Sequence, residues 1–219
     1  MSATTMVAEG SGHSGATAPR GDTRNRVLAV AMELFGRHGY GPTTVAQIER
    51  AAGLSAGAGG LYRHFPSKKA LLIEGLRREG GAGRALLERL DDLGQVGAAP
   101  RERLLAVGRA GLARLEQERD LNRLLVRDLD QFPELLEQVR EQEVEAVFRG
   151  LSRWLAGQPD GRPDTDWDAL AAVLLAAVSH YWILRDVYGG KHPHQISAER
   201  FLGMLTDLAA TVFTGVPDR

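Results

Sequence analysis

TTVAQIERAAGLSAGAGGLYRHFPSKKAL, Thr43 to Leu71, sets short helical runs between glycine and proline stops. Its opening threonines offer an N-cap, because a hydroxyl can accept one of the unpaired amides of a first helical turn. Val45, Ile48 and Ala52 follow at helical spacing, and Gly53 stops the helix after about two turns. A further helix is expected from near Ser55, anchored by Leu61 and Phe65 four residues apart and ended by Pro66. Ser67 then caps another that starts at Lys68. Upstream, Val27, Ala31, Leu34 and Phe35 share one face of a helix expected over residues 23–38, and Gly39 supplies its stop.

Downstream, the same periodicity predicts helices near 82–93, 100–118, 120–130, 134–157, 166–188 and 197–214. Pro100, Pro133, Pro159 with Gly161 and Pro163, and Gly189 with Gly190 and Pro193 separate them. No stretch alternates as a strand would, so the expected fold is all-α. Residues 1–22, rich in Gly, Ser, Thr and Ala, read as a tail without the basic start or apolar run of a signal peptide.

With 219 residues the chain can bury a core of its own, in one or two domains. Its lack of cysteine excludes disulfide scaffolds, thiolate metal sites and cysteine nucleophiles. The longest apolar run, Ala169 to Val178, has ten residues where a bilayer needs about 20, so no transmembrane helix and a cytoplasmic location are expected. Charge is divided along the chain. Residues 20–80 hold ten Arg or Lys against five Asp or Glu, and residues 81–219 hold seventeen against twenty-two. A basic segment joined to an acidic body favours a polyanion as partner of the former.

Two helices joined by a glycine-containing turn and followed at once by a third form the helix-turn-helix arrangement, whose second helix enters the major groove. The runs Thr43–Ile48, Ala52–Ser55 and Leu61–Leu71, with Val30–Tyr40 before them, resemble the TetR family of bacterial transcription regulators over about residues 23–75. That resemblance implies an N-terminal three-helix DNA-binding domain, residues 23–67, and a C-terminal helical effector-binding and dimerisation domain, residues 68–219. It implies a homodimer on double-stranded operator DNA, released by a small-molecule effector, with neither catalysis, cofactor nor metal. Two features depart from the family pattern. Six residues separate Ser55 from Tyr62 where about four are usual, and Glu49 stands where a small residue is common.

The expected DNA-binding residues are Thr44, Ser55, Tyr62, Arg63, His64 and Lys68. Thr44, Tyr62 and His64 can donate to phosphate oxygens, and Lys68 matches a family lysine that reaches the backbone. Arg63 is the long side chain able to hydrogen-bond guanine. Arg24 and Arg26 are further candidates for phosphate or minor-groove contact by charge and position. The bland alternatives are solvated charge for the arginines and core packing for Tyr62.

Gly57 to Gly60 lacks the lysine and the strand of a nucleotide loop, and His192 with His194 lacks the acidic neighbours of a metal site. In the larger domain Arg127, Trp154, His180 and Tyr181 are the candidate ligand-binding residues, core or surface packing being the alternative. A mostly apolar effector is expected, and dimerisation through 166–188 and 197–214. A helical enzyme or carrier and a protein-binding module are the competing classes; no nucleophile–base pair or cofactor loop supports the former.

Overall fold

The computed structural model describes residues 20–79, 82–94 and 99–214. Residues 1–19, most of the expected tail, lie outside them. Every described element is helical. They are α1 (Arg20–His38), α2 (Val45–Ala51), a 3₁₀ turn (Leu61–Arg63), α3 (Lys68–Glu79), α4 (Ala82–Glu88), α5 (Leu90–Gly94), α6 (Pro100–Gln117) and α7 (Arg119–Asp128). A second 3₁₀ turn (Leu129–Gln131), α8 (Pro133–Val139), a π turn (Arg140–Val144), α9 (Glu145–Ala156), α10 (Trp167–Val187) and α11 (Ala198–Thr214) complete the order. The all-α expectation holds.

α1 buries Val27, Leu28, Ala31, Met32 and Phe35 along one stripe. At Gly39 the chain takes φ +97°, a conformation glycine adopts without strain, and its amide closes the last turn on the Phe35 carbonyl at 2.9 Å. The stripe packs on Ile48 and Ala52 of α2, on Leu61 and Phe65, and on Leu71, Leu72 and Leu76 of α3. This first core also takes in Leu121 and Leu124 of α7, Leu129, and Leu135 of α8. It therefore extends well beyond residue 67. Helices α1 and α7 touch so closely at Gly36 that a Cβ there would lie 2.6 Å from the Asp120 Cα.

A second core gathers Leu90, Leu104, Leu151, Trp154, Leu155, Ala171, Leu174, Ala209 and Phe213; a third joins Leu112, Tyr181, Trp182 and Leu202. The helix expected at 134–157 is divided: α8 passes into α9 through the π turn, an interruption that hydrophobic periodicity does not announce. Among the described helices α10 alone is long and apolar enough to cross a bilayer by length and composition, because polar Ser179 and His180 interrupt the apolar run without ending the helix. Leu174, Tyr181 and Trp182 on its inner side are core residues.

Candidate nucleic-acid interface

α2 starts as its sequence implies. Thr44 is the N-cap, its hydroxyl accepting from the Gln47 amide at 3.2 Å while Gln47 Oε1 accepts from the Thr44 amide at 2.7 Å. This reciprocal capping box satisfies two otherwise orphaned donors. Buried Thr43 ties the preceding turn to the end of α1, donating to the Gly39 carbonyl at 2.7 Å.

Beyond α2 the structure departs from the sequence reading. The helix expected from Ser55 does not form: residues 56–60 are turns, and a single 3₁₀ turn, Leu61–Arg63, carries the residues meant for it. Glycine explains this locally. Gly57 and Gly59 hold φ of +77° and +71°, outside the helical region, and glycine has the largest backbone entropy to lose in a helix. Glu49 supplies the rest. Fully buried in α2, it accepts the amides of Gly57 (Oε2, 2.7 Å) and Leu61 (Oε1, 2.9 Å), drawing the glycine-rich stretch against α2.

The 3₁₀ turn divides its side chains sharply. Leu61 and Phe65 enter the first core, while Tyr62 is 55% exposed and Arg63 stands out beside it. His64 is half-buried, and Ser55 and Thr44 are exposed. Among the described residues, the Tyr62, Arg63 and His64 side chains have no hydrogen-bond or ionic partner.

Lys68 differs from Tyr62, Arg63 and His64 in being held by the chain itself. Its ammonium points inward, donating to the carbonyls of Tyr40 (2.5 Å), Thr43 (2.6 Å) and Gly41 (3.4 Å), with Nζ 4.1 Å from the centre of the Tyr40 ring. An ammonium has three protons, so these carbonyls use its donor capacity and leave none for a phosphate. Burial lowers the Lys68 pKa, with Asp128 opposing the shift. Arg24 and Arg26 have partners within the chain as well: Arg24 pairs with Glu74 at 3.3 Å and lies over Phe65, and Arg26 Nε donates to the Ala52 carbonyl at 2.9 Å, closing α2. Most described basic side chains of this segment thus already have a partner in the chain, many of them at the surface. Among the described side chains of residues 20–80, Arg50 and Arg63 are the basic ones with neither hydrogen bond nor ion pair. Sequence reasoning missed Arg50. It stands on the exposed side of α2 with Thr44 and Gln47, at three-residue spacing from the N-cap.

Residues 27–74 match the family described as bacterial regulatory proteins, tetR family. The regulator AcrR of Shigella flexneri is 40% identical over 53 residues, about a quarter of each chain. A TetR transcriptional regulator from Chloroflexus aurantiacus is 25% identical with a TM-score of 0.62, covering 89% of this chain and 96% of that one. Residues 27–74 thus match the N-terminal segment of TetR-family regulators, and the chain shares the fold of such proteins. A protein of Saccharomonospora viridis solved in complex with choline has the same fold at 24% identity, with a TM-score of 0.66 over 91% of this chain and all of the other.

The four ligand-site candidates in the TetR-type C-terminal half are not brought together. Arg127 belongs to the junction of the halves: its guanidinium donates to the Phe35 and Gly36 carbonyls at 2.6 and 3.2 Å and pairs with Asp128 at 2.9 Å, a cation at the end of α1. Trp154 is packed in the second core. Tyr181 stacks on Phe201 and donates to the Ile196 carbonyl at 2.9 Å; burial raises its pKa. His180 lies exposed on the outer side of α10.

Tyr181 and Arg127 each border a separate open cleft at the surface, and two more enclosed cavities lie among the helices. The first, about 80 Å³, is walled by Leu87, Leu104, Val107, Leu151, Leu174 and neighbouring apolar groups. The second, about 220 Å³, shares Val147 and Leu175 with it and adds Arg114, Glu118 and Glu143. Burial raises the Glu118 pKa; Arg114 opposes that shift and Glu143 adds to it. The i, i+4 pair Arg114 and Glu118 reads as a surface pair in sequence, and only the packing of α6 on its neighbours reveals it as a cavity wall. Among the described residues no group of three or more potential ligands could hold a metal ion.

Proposed function

We propose that the chain is a sequence-specific DNA-binding transcriptional regulator, cytoplasmic and homodimeric, and a repressor released by a small apolar molecule. What supports the reading is the 3₁₀ turn, which projects Tyr62 and the unpartnered Arg63 from a buried Leu61–Phe65 anchor. Arg63 then reads a guanine edge, and Thr44, Ser55, Tyr62, His64 and Arg50 meet the backbone. Residues 23–67 serve DNA and residues 68–219 serve effector and dimerisation, a division of labour laid over a core that joins both.

The dimer forms through α10 and α11. Ala169, Val173, Ala176 and His180 make an exposed stripe on α10, and Met204 and Leu208, each 62% exposed, face outward from α11. Glutamate at both Val173 and Leu208 should yield monomers in sedimentation at micromolar concentration, where the unaltered chain is dimeric. A monomeric parent overturns this part.

The effector enters the two enclosed cavities, the first apolar and the second edged by Arg114, Glu118 and Glu143, which as they stand are smaller than the ~300 Å³ at which drug-sized sites begin. A ligand therefore enlarges them and strains the helices around them. The test is reciprocity. Duplexes enriched from a random library by the protein are titrated with and without each apolar compound that raises its melting temperature. An inducer weakens DNA binding by about 100-fold, and DNA weakens the inducer equally. Binders indifferent to DNA, across diverse chemistries, contradict ligand-controlled release.

A further inference from the structure

Glu49 has no exposed surface, although it sits on a seven-residue helix whose other inward positions are apolar. Burying a carboxylate costs several kcal/mol unless its oxygens are well satisfied, so its partners reveal its use. Oxygen Oε2 takes the amide of Gly57 and Oε1 that of Leu61, at 2.7 and 2.9 Å, while the Glu49 carbonyl takes the amide of Leu54 at 2.8 Å. All three donors lie between α2 and the exposed Tyr62–Arg63 pair. They bracket the glycine-rich stretch where six residues, not four, separate Ser55 from Tyr62.

Residues 56–60 are Ala-Gly-Ala-Gly-Gly and bring no polar side chain with which to hold a turn of their own. Gly57 and Gly59 nevertheless occupy the left-handed region, where the chain follows a specific path. The bidentate carboxylate imposes that path. It fixes one end of the stretch at Gly57 and the other at Leu61, the residue immediately before the two side chains aimed outward.

We propose that Glu49 is a specificity-determining positioning residue: its buried carboxylate holds the glycine-rich turn and so sets which base pair Tyr62 and Arg63 reach. The proposal rests on the DNA-reading function above. It also links the two departures from the family pattern, since a lengthened turn needs an internal strut and a turn of ordinary length does not.

Three variants test it: Glu49→Gln, Glu49→Ala, and Glu49→Ala with Ala58 and Gly59 deleted. Two readouts are needed, amide hydrogen exchange at Gly57 and Leu61 without DNA, and affinity for duplexes enriched by the parent protein beside unrelated duplexes. Glu49→Gln keeps the shape but turns an amide donor toward one backbone donor, so exchange at Gly57 or Leu61 accelerates. Affinity for enriched DNA falls on the order of tenfold, the weight of one lost charge-assisted hydrogen bond, with preference broadened at the Arg63 base pair and unrelated DNA bound as before. The shortened Glu49→Ala variant regains a narrow base preference. Should Glu49→Ala fail to fold, Glu49→Gln decides. Unchanged exchange in Glu49→Gln, or equal loss of affinity for enriched and unrelated DNA, overturns the proposal. A parent protein that enriches no sequence refutes the DNA-reading function, and Glu49's part in specificity with it, while exchange still shows whether the strut exists.

Discussion

The junction of α1 with α7 and the helices around the cavities are built from similar side chains but packed in opposite ways. At the junction, Gly36 lets two backbones approach until no Cβ would fit, and polar clamps from Thr43, Lys68 and Arg127 satisfy the carbonyls at and beyond the end of α1. Around the cavities, leucines and valines leave two voids, and Gly111 on α6 has no atom within 4 Å of where its Cβ would stand. The difference assigns work to each region. A close-packed junction transmits a displacement, whereas voids can be enlarged by a ligand to produce one.

The same substitution should therefore have opposite signs in the two regions. Gly36→Ala places a methyl group 2.3 Å from the Asp120 Cβ and 2.6 Å from its Cα, and a backbone atom cannot rotate away. Urea unfolding should show a loss of about 1–3 kcal/mol, the usual cost of overpacking. A neutral result would mean that the junction is loose, and the contrast between the regions would fail.

Lys68 and Arg50 sharpen the comparison next. Lys68→Met should lower stability by about 1–2 kcal/mol, by orphaning carbonyls at the Tyr40–Thr43 turn, and should leave the salt slope of DNA binding unchanged. Arg50→Ala should do the reverse, sparing stability and flattening the slope by roughly one unit. The smallest effect belongs to Gly111→Ala. In a helix interior with open space it should stabilise by about 0.5–1 kcal/mol and, since Gly111 lines the first cavity, weaken apolar ligands.

Lys68 also shows how far residue type and position carry. A lysine opening a helix beside a DNA-reading segment looks like a phosphate contact, and its family position says the same. Only the path of the Tyr40–Thr43 backbone, which brings three carbonyls to Nζ, shows that its protons are taken. Helix ends were readable where a local cap sets them, as at Thr44 and Gly39, because such signals act within four residues. The reading element was not, since its conformation depends on a carboxylate twelve residues before Leu61. Along α10, helical spacing sets Leu170, Leu174 and Val178 apart from Ala169, Val173, Ala176, Ala177 and His180; the first group is buried or half-buried and the second is exposed except for half-buried Ala177. The cavities were hidden because they are made by contacts between distant helices and leave no trace in any one of them.

Arg63, on the 3₁₀ turn, is the side chain proposed to read DNA. That role is tested most directly by enriching random duplexes on the parent protein and measuring the affinity of Arg63→Ala for the enriched sequence and for each of its single-base-pair variants. Enrichment should return a near-palindromic site with half-sites about 10 bp apart or a multiple of that, and the variant should lose about 1–3 kcal/mol and relax its preference at one base pair in each half-site. An Arg63→Ala protein with the parent's affinity and base preference would contradict it.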